Sequence, residues 1–327
     1  MSKPKAYVGR AIVDSALSRL AEVADVRVWP SPTRCPDDVL LKEIGDIEVF
    51  LGNNRWTGAV MDQAPKLRLI ANISVGYDNV DVPAATQRGL VVTNTPGVLS
   101  DTTADTAFAL LMTAARRICE AGRYVRAGKW VAVGGSASMF GHDVHHATLG
   151  IIGLGRIGFE VAHRALGFHM KVLYHDVVRR EDLEKQYGLQ YVDMDTLLSE
   201  SDFVSLHTVL SDQTRALIGA PELSKMKRTA FLINASRGEV VDEPALIDAL
   251  KEGKIAGAGL DVFAKEPTDP NNPLLKMDNV VALPHIGSAT EATRVAMQQL
   301  AVDNAIAVLQ GKPPLTPVNP EVLSKKL

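Results

Sequence analysis

From Gly153 to Gly158 the chain reads Gly-Leu-Gly-Arg-Ile-Gly, a spacing with a chemical use. Gly153 can make a tight turn, Gly155 can let the backbone approach a pyrophosphate, and Gly158 can let a helix pack on its strand. The helix opening at Arg156 and Ile157 would turn its unpaired N–H groups and positive dipole end toward phosphates. Asp176 falls about 20 residues further on, where a carboxylate can accept hydrogen bonds from ribose hydroxyls. The same carboxylate would repel a ribose 2′-phosphate, which favours NAD. Arg179 and Arg180 are close enough in sequence to grip such a phosphate, so NADP stays open. A purely structural glycine turn is the alternative reading.

Hydride chemistry needs a partner group that exchanges a proton with the substrate oxygen, and histidine suits this near neutral pH. Of eight histidines, His285 stands in Leu283-Pro284-His285-Ile286-Gly287-Ser288, just past an apolar run. Arg237, in Asn234-Ala235-Ser236-Arg237-Gly238-Glu239, follows a second such run, and a guanidinium there could bind a carboxylate through two parallel hydrogen bonds. Glu266 follows a third, and a carboxylate beside an imidazole raises its pKa and fixes its tautomer. Each has a plainer alternative: a structural histidine, a surface salt bridge, a solvated Lys-Glu-Pro stretch. The loop from Ser74 to Asp81 follows a fourth apolar run. There Val75 and Gly76 could present N–H groups to a carboxylate, although a simple Gly-Asn-Asp turn explains it equally well. His142, His145 and His146 lack a zinc-type partner spacing and read as a polar loop, so no metal is expected.

These groups need a scaffold that puts strand ends side by side. Short apolar runs alternate with helical patterns along the whole chain, which argues parallel sheets covered by helices on both faces. Candidate strands before the glycine motif are Ala6 to Val8, Val26 to Trp29, Glu48 to Leu51, Leu67 to Asn72 and Leu90 to Thr93. From the motif onward they are Leu149 to Ile152, Lys171 to Tyr174, Phe203 to His207, Ala230 to Asn234, Gly257 to Leu260 and Val280 to Leu283, about the six of a Rossmann fold. A helix is expected from Thr102 to about Val125, another from Glu243 to Lys251 ended by Gly253, and a last one from Ala289 to Gln310. Residues 126–147 have no clear period, and Trp130, Met139 and Phe140 on a loop-like stretch suggest packing against a second subunit.

At 327 residues two domains are natural, and a formal net charge of −3 gives no reason to expect nucleic acid or an anionic membrane surface. Two cysteines form no disulfide framework and fit a reducing compartment. Without a signal-like or membrane-spanning run, a cytoplasmic protein is expected.

The series SVGYDNVD, NTPGVLSDTTAD, GLGRIG, INASRGEVVDE, AGAGLDVFAKEP and LPHIGSAT resembles the D-isomer-specific 2-hydroxyacid dehydrogenase family, and within it most closely the glyoxylate/hydroxypyruvate reductases. The resemblance runs in order through nearly the whole chain. It implies an α/β protein of two doubly wound parallel-sheet domains, a Rossmann NAD(P)-binding domain (residues 100–287) inserted into a flavodoxin-like substrate domain (1–99 and 288–327). It also implies a homodimer with an arm at about residues 120–147, and reduction of a small 2-keto acid to the D-2-hydroxy acid. Arg237, Glu266 and His285 would be the catalytic set. His285 would give the proton, Glu266 would keep it protonated, and Arg237 would orient the substrate. Val75, Gly76 and Ser288 would join Arg237 in holding the substrate. Thr103, Gly153, Gly155, Arg156, Ile157, Gly158, Asp176, Thr208, Val209, Ala235, Asp261 and Gly287 would line the cofactor, with Asp261 near the carboxamide.

Two departures stand out. Relatives commonly carry His-Val-Pro-Leu where this chain has His207-Thr208-Val209-Leu210, which loosens a turn beside the adenosine. Many glyoxylate reductases carry Ser/Arg-type residues where this chain has Asp176-Val177. The same resemblance extends to other D-2-hydroxyacid dehydrogenases and to NAD-sensing corepressor-like regulators. Phosphoglycerate dehydrogenase fits less well because no regulatory domain follows Leu327.

Overall fold

Twelve short strands, most of them buried, build two separate all-parallel sheets in a computed structural model of the chain that describes residues 3–132 and 139–325. Parallel strands covered on both faces need apolar side chains on both, and most of these strands are accordingly continuous buried runs such as Val49–Gly52 and Phe231–Asn234. The chain divides into two compact units, Met1–Leu99 with Ala289–Leu327, and Ser100–Ser288.

The first unit holds β1 (Lys5–Val8), β2 (Asp25–Val28), β3 (Val49–Gly52), β4 (Leu69–Asn72) and β5 (Val91–Thr93) in the order β2-β1-β3-β4-β5. That is the flavodoxin-like order, with its switch point between β1 and β3. Its core packs Phe50 edge-on to the fully buried Trp56, with ring centroids 5.0 Å apart, among Leu40, Ile44 and Ile70. The helix Glu291–Leu309 returns to this unit, capped by the Thr290 side chain, and packs on β3 and β4.

The second unit holds β6 (Thr148–Ile152), β7 (Lys171–His175), β8 (Gln190–Tyr191), β9 (Phe203–Leu206), β10 (Phe231–Asn234), β11 (Gly257–Leu260) and β12 (Val280–Ala282) in the order β12-β11-β10-β9-β6-β7-β8. This is the Rossmann order, switching between β6 and β9, with one strand more than the six expected. The pairs Asn234↔Leu260 and Leu260↔Ala282 bring the carboxyl ends of β10, β11 and β12 level with one another.

Two expectations need correction. The helix expected from Thr102 to Val125 is two helices, Ser100–Ala115 and Ile118–Arg126, with Arg117 between them at φ 53°. The cause is remote in sequence. The His142 N–H donates to the Ala115 carbonyl at 2.8 Å, taking an acceptor that a continuing helix would use, and Gly141 lies against the same turn. The Arg117 guanidinium then pairs with Glu120 at 2.7 Å and holds the start of the second helix. The other correction is β8, a two-residue exposed strand that no apolar run marks. Part of the expected arm, residues 133–138, lies outside the described residues.

Candidate active site

The glycine motif occupies the turn from β6 into the helix Arg156–Leu166, for which Gly155 is the N-cap. Gly153 adopts φ 93°, and a Cβ there would come within 2.8 Å of the His207 backbone. At Gly158 a Cβ would meet the Gly153 carbonyl oxygen at 2.1 Å, so only glycine lets the helix sit this close to its strand. At Gly155 a Cβ would meet nothing within 4 Å. The space above the helix N-terminus is therefore open, as a pyrophosphate requires. Asp176, directly after β7, accepts a hydrogen bond from the Leu154 N–H at 2.6 Å and from the Val178 N–H at 3.0 Å. It thereby ties the glycine turn to the strand end where a ribose would lie.

Opposite that turn, after β9, the Nδ1 of His207 and the Oγ1 of Thr208 are buried with no hydrogen-bond partner in the structure, and Val209 is exposed. Such orphaned polar atoms are costly unless a ligand meets them, so their position beside Gly153 fits a dinucleotide site. Burial lowers the His207 pKa to about 4, and its Nε2 lies 2.8 Å from the Ser205 hydroxyl. His207 was not among the residues singled out from sequence. Its signal is a histidine following the otherwise apolar run of β9.

The level ends of β10, β11 and β12 carry Arg237, Glu266 and His285. Asn234, buried at the end of β10, braces the first turn. Its Nδ2 donates to the Arg237 carbonyl at 2.9 Å, while its Oδ1 accepts from the Ser236 N–H and hydroxyl. Ala235 stands inside this turn, half-buried, and Arg237 is half-buried with an Nη1 bond to the Ser236 carbonyl at 2.8 Å. His285 Nδ1 lies 2.6 Å from Glu266 Oε2, while Glu266 Oε1 accepts the Phe263 N–H at 3.1 Å. Burial pushes the Glu266 pKa upward, but the hydrogen bond and charge of His285, helped by the Phe263 N–H and the charge of Arg237, bring it below the ordinary value. Glu266 is thus ionised at neutral pH and can only accept, so the proton of the pair sits on His285 Nδ1 and Nε2 is the outward nitrogen.

His285 adopts φ 55°, a left-handed conformation costing a non-glycine residue about 1–2 kcal/mol. One residue makes this worthwhile. Asp261, 1% exposed at the end of β11, accepts the His285 N–H on its backbone oxygen at 2.9 Å, the Ile286 N–H on Oδ1 at 2.8 Å and the Gly287 N–H on Oδ2 at 2.7 Å. Three backbone N–H groups satisfied on one residue, about 0.5–1.5 kcal/mol net each, offset the strain. Burial raises the Asp261 pKa against the lowering effect of those N–H groups. A Cβ on Gly287 would lie 3.3 Å from the Thr103 methyl, which sets Thr103 beside this loop, and Ser288 follows it directly. Glu243 supports the Glu266 loop from behind, accepting the Ala264 N–H at 3.0 Å and the Asn272 amide at 2.8 Å. Sequence reasoning passed over it because nothing in its helix marks that contact.

Val75 and Gly76 belong to the other unit, past the end of β4. Asn94 Nδ2 holds the Val75 carbonyl at 2.7 Å, and Asn72 Nδ2 holds the Gly76 carbonyl at 2.6 Å. Both carbonyls are thus satisfied by side chains. Among the described residues, no set of His, Cys, Asp or Glu is arranged to hold a metal ion, and no helix is long and apolar enough to cross a membrane.

Residues 108–287 match the model of the D-isomer specific 2-hydroxyacid dehydrogenase NAD-binding domain. A glyoxylate reductase of Korarchaeum cryptofilum is 51% identical over 323 residues, which is 98% of this chain and 97% of that protein. Among solved structures, a glyoxylate reductase from Paecilomyes thermophila aligns with TM-score 0.88 at 32% identity, covering 98% of this chain and 100% of that one. An NADPH-dependent glyoxylate/hydroxypyruvate reductase from Sinorhizobium meliloti, bound to NADP and malonate, aligns with TM-score 0.85 at 36% identity over 97% of both chains. By fold order, by the glycine turn and by these full-length matches, the chain belongs to the D-isomer specific 2-hydroxyacid dehydrogenases, NAD(P)-dependent oxidoreductases.

Proposed function

We propose that the protein reduces glyoxylate and hydroxypyruvate to glycolate and D-glycerate. The observation that carries this reading is the 2.6 Å contact between His285 Nδ1 and Glu266 Oε2 at the carboxyl edge of the dinucleotide-type sheet. When bound, NAD(P)H supplies the hydride for the keto carbon. His285 Nε2 gives a proton to the keto oxygen, and the ionised Glu266 stabilises the imidazolium before that transfer. Arg237 lines up the substrate carboxylate and carbonyl through paired guanidinium N–H groups. The N–H groups of Val75 and Gly76, with Ser288, take the rest of the carboxylate. The first unit is then the substrate-binding domain and the second the dinucleotide-binding domain.

Asp176, Thr103, Gly153, Gly155, Arg156, Ile157, Gly158, Thr208, Val209, Ala235, Asp261 and Gly287 form the dinucleotide site in this reading. Asp176 favours NAD over NADP. The working form is a cytoplasmic homodimer with its arm at about residues 120–147. Exposed Ile118, Val125, Trp130 and Phe140, apolar surface with a use in an interface, support the dimer. Two cysteines without a disulfide support a reducing compartment.

The test is a panel of 2-keto acids with NADH and with NADPH, with the chirality of the product determined. Glyoxylate and hydroxypyruvate should give the highest kcat/KM, and hydroxypyruvate should yield D-glycerate. Highest kcat/KM on another 2-keto acid, or an L-product, would overturn the reading.

A further inference from the structure

Arg179 and Arg180 follow Asp176 closely enough to suggest phosphate ligands, yet both are already engaged, and unequally. Arg180 pairs with Asp182 at 3.1 and 2.8 Å, two residues away, with both side chains well exposed. Such a surface pair holds little and exchanges readily. Arg179 is held differently. Its Nε and Nη2 make parallel hydrogen bonds to Glu184 at 2.9 and 2.8 Å, and its guanidinium lies 5.6 Å from the centroid of the Tyr191 ring. Glu184 is itself fixed, because the buried Tyr174 hydroxyl donates to its Oε1 at 2.8 Å. The same hydroxyl accepts the Arg180 N–H at 2.7 Å, so one buried tyrosine in β7 anchors both the carboxylate and the loop that bears the arginines. Glu184 is only 17% exposed, and the pairing lowers its pKa to about 2.

We propose that Glu184, seated on Tyr174, locks Arg179 away from the ribose and is a second determinant, beside Asp176, of discrimination against a dinucleotide carrying a 2′-phosphate. The proposal rests on the reading that Asp176 lies at the adenosine ribose. Asp176 supplies repulsion, and Glu184 withholds the cation that would otherwise compensate it. Removing the Asp176 charge alone therefore relieves repulsion without providing a phosphate partner. An anion is accommodated well only when both carboxylates are gone.

The test uses the full-length enzyme and two probes, AMP and its 2′-phosphorylated form, with Kd measured by calorimetry alongside kcat/KM for NADH and NADPH. Asp176→Ser should improve binding of the phosphorylated probe relative to AMP, and Asp176→Ser/Glu184→Gln should improve it further, on the order of tenfold, the effect of one charge-assisted pair. Adding Arg179→Ala should abolish that second gain, while adding Arg180→Ala should leave it. Asp176→Asn, which keeps an acceptor for the Leu154 N–H, serves if the serine variant folds poorly. A double variant no better than Asp176→Ser, or a gain that depends on Arg180, overturns the lock while leaving the Asp176 reading intact. No change in the probe ratio in any Asp176 variant overturns the Asp176 reading itself, and the lock with it.

Discussion

Replacing Gly238 by alanine should uncouple the catalytic pair while leaving the phosphate and ribose end of the dinucleotide site alone. Gly238 follows Arg237 and opens the short turn Gly238–Val240. A Cβ there would lie 1.9 Å from the Phe263 carbonyl carbon, 2.0 Å from its oxygen and 2.4 Å from the Ala264 nitrogen. These are backbone atoms, so no rotamer change relieves them. Ordinary contact begins at 3.4 Å, and the loop at Phe263 must therefore withdraw by about 1.5 Å. Glu266 hangs from that loop by its bond to the Phe263 N–H, and its other oxygen is 2.6 Å from His285. Overpacking of this kind costs about 1–3 kcal/mol of stability. Misplacing a catalytic group by roughly 1 Å costs on the order of 100-fold in rate. The assay is kcat for glyoxylate reduction, with Kd for NADH by fluorescence and Tm as controls. The expected result is a fall in kcat of about 100-fold with a lowered Tm and a Kd for NADH that changes far less than kcat, because the glycine turn and Asp176, past the ends of β6 and β7, are untouched. A variant with native kcat and native Tm would refute the argument that this contact sets the position of Glu266.

Two further outcomes follow from the same geometry. His207, held near pKa 4 by burial against 6.5 when unfolded, leaves the unfolded chain with the extra proton between those values, so stability should rise by about 3 kcal/mol as pH increases through that window and level off above it. Urea unfolding at a series of pH values should show the slope in the native protein and lose it in His207→Gln. In Asp261→Asn one of the two N–H groups of Ile286 and Gly287 loses its acceptor, at a cost of about 1–3 kcal/mol, read as a lowered Tm together with a reduced kcat. A native Tm would mean that Asp261 does not hold the His285 loop.

Much of the scaffold was legible because buried parallel strands leave continuous apolar runs, and all eleven expected runs overlap observed strands within two residues at either end. The glycine turn was legible for the same local reason. Features set by partners far along the chain were not. Nothing near Arg117 breaks a helix, and the break comes from His142 and Gly141. The strand β8 pairs only through exposed Gln190 and Tyr191, which have no burial pattern to read. Arg179 and Arg180 looked available in sequence, and only the packing of the helix Glu181–Tyr187 reveals Glu184 and Asp182 as their partners. Conversely, that Arg237, Glu266 and His285 follow three strands adjacent in the sheet explains why residues so distant in sequence meet.

The central claim is that His285, oriented by Glu266, transfers the proton that accompanies reduction. Its most direct test is kcat of His285→Gln with glyoxylate and a saturating reduced nicotinamide cofactor, measured alongside the Kd for that cofactor. Loss of a general acid should lower kcat by about 10²–10⁴-fold with the Kd preserved. A variant that turns over at the native rate would contradict the account.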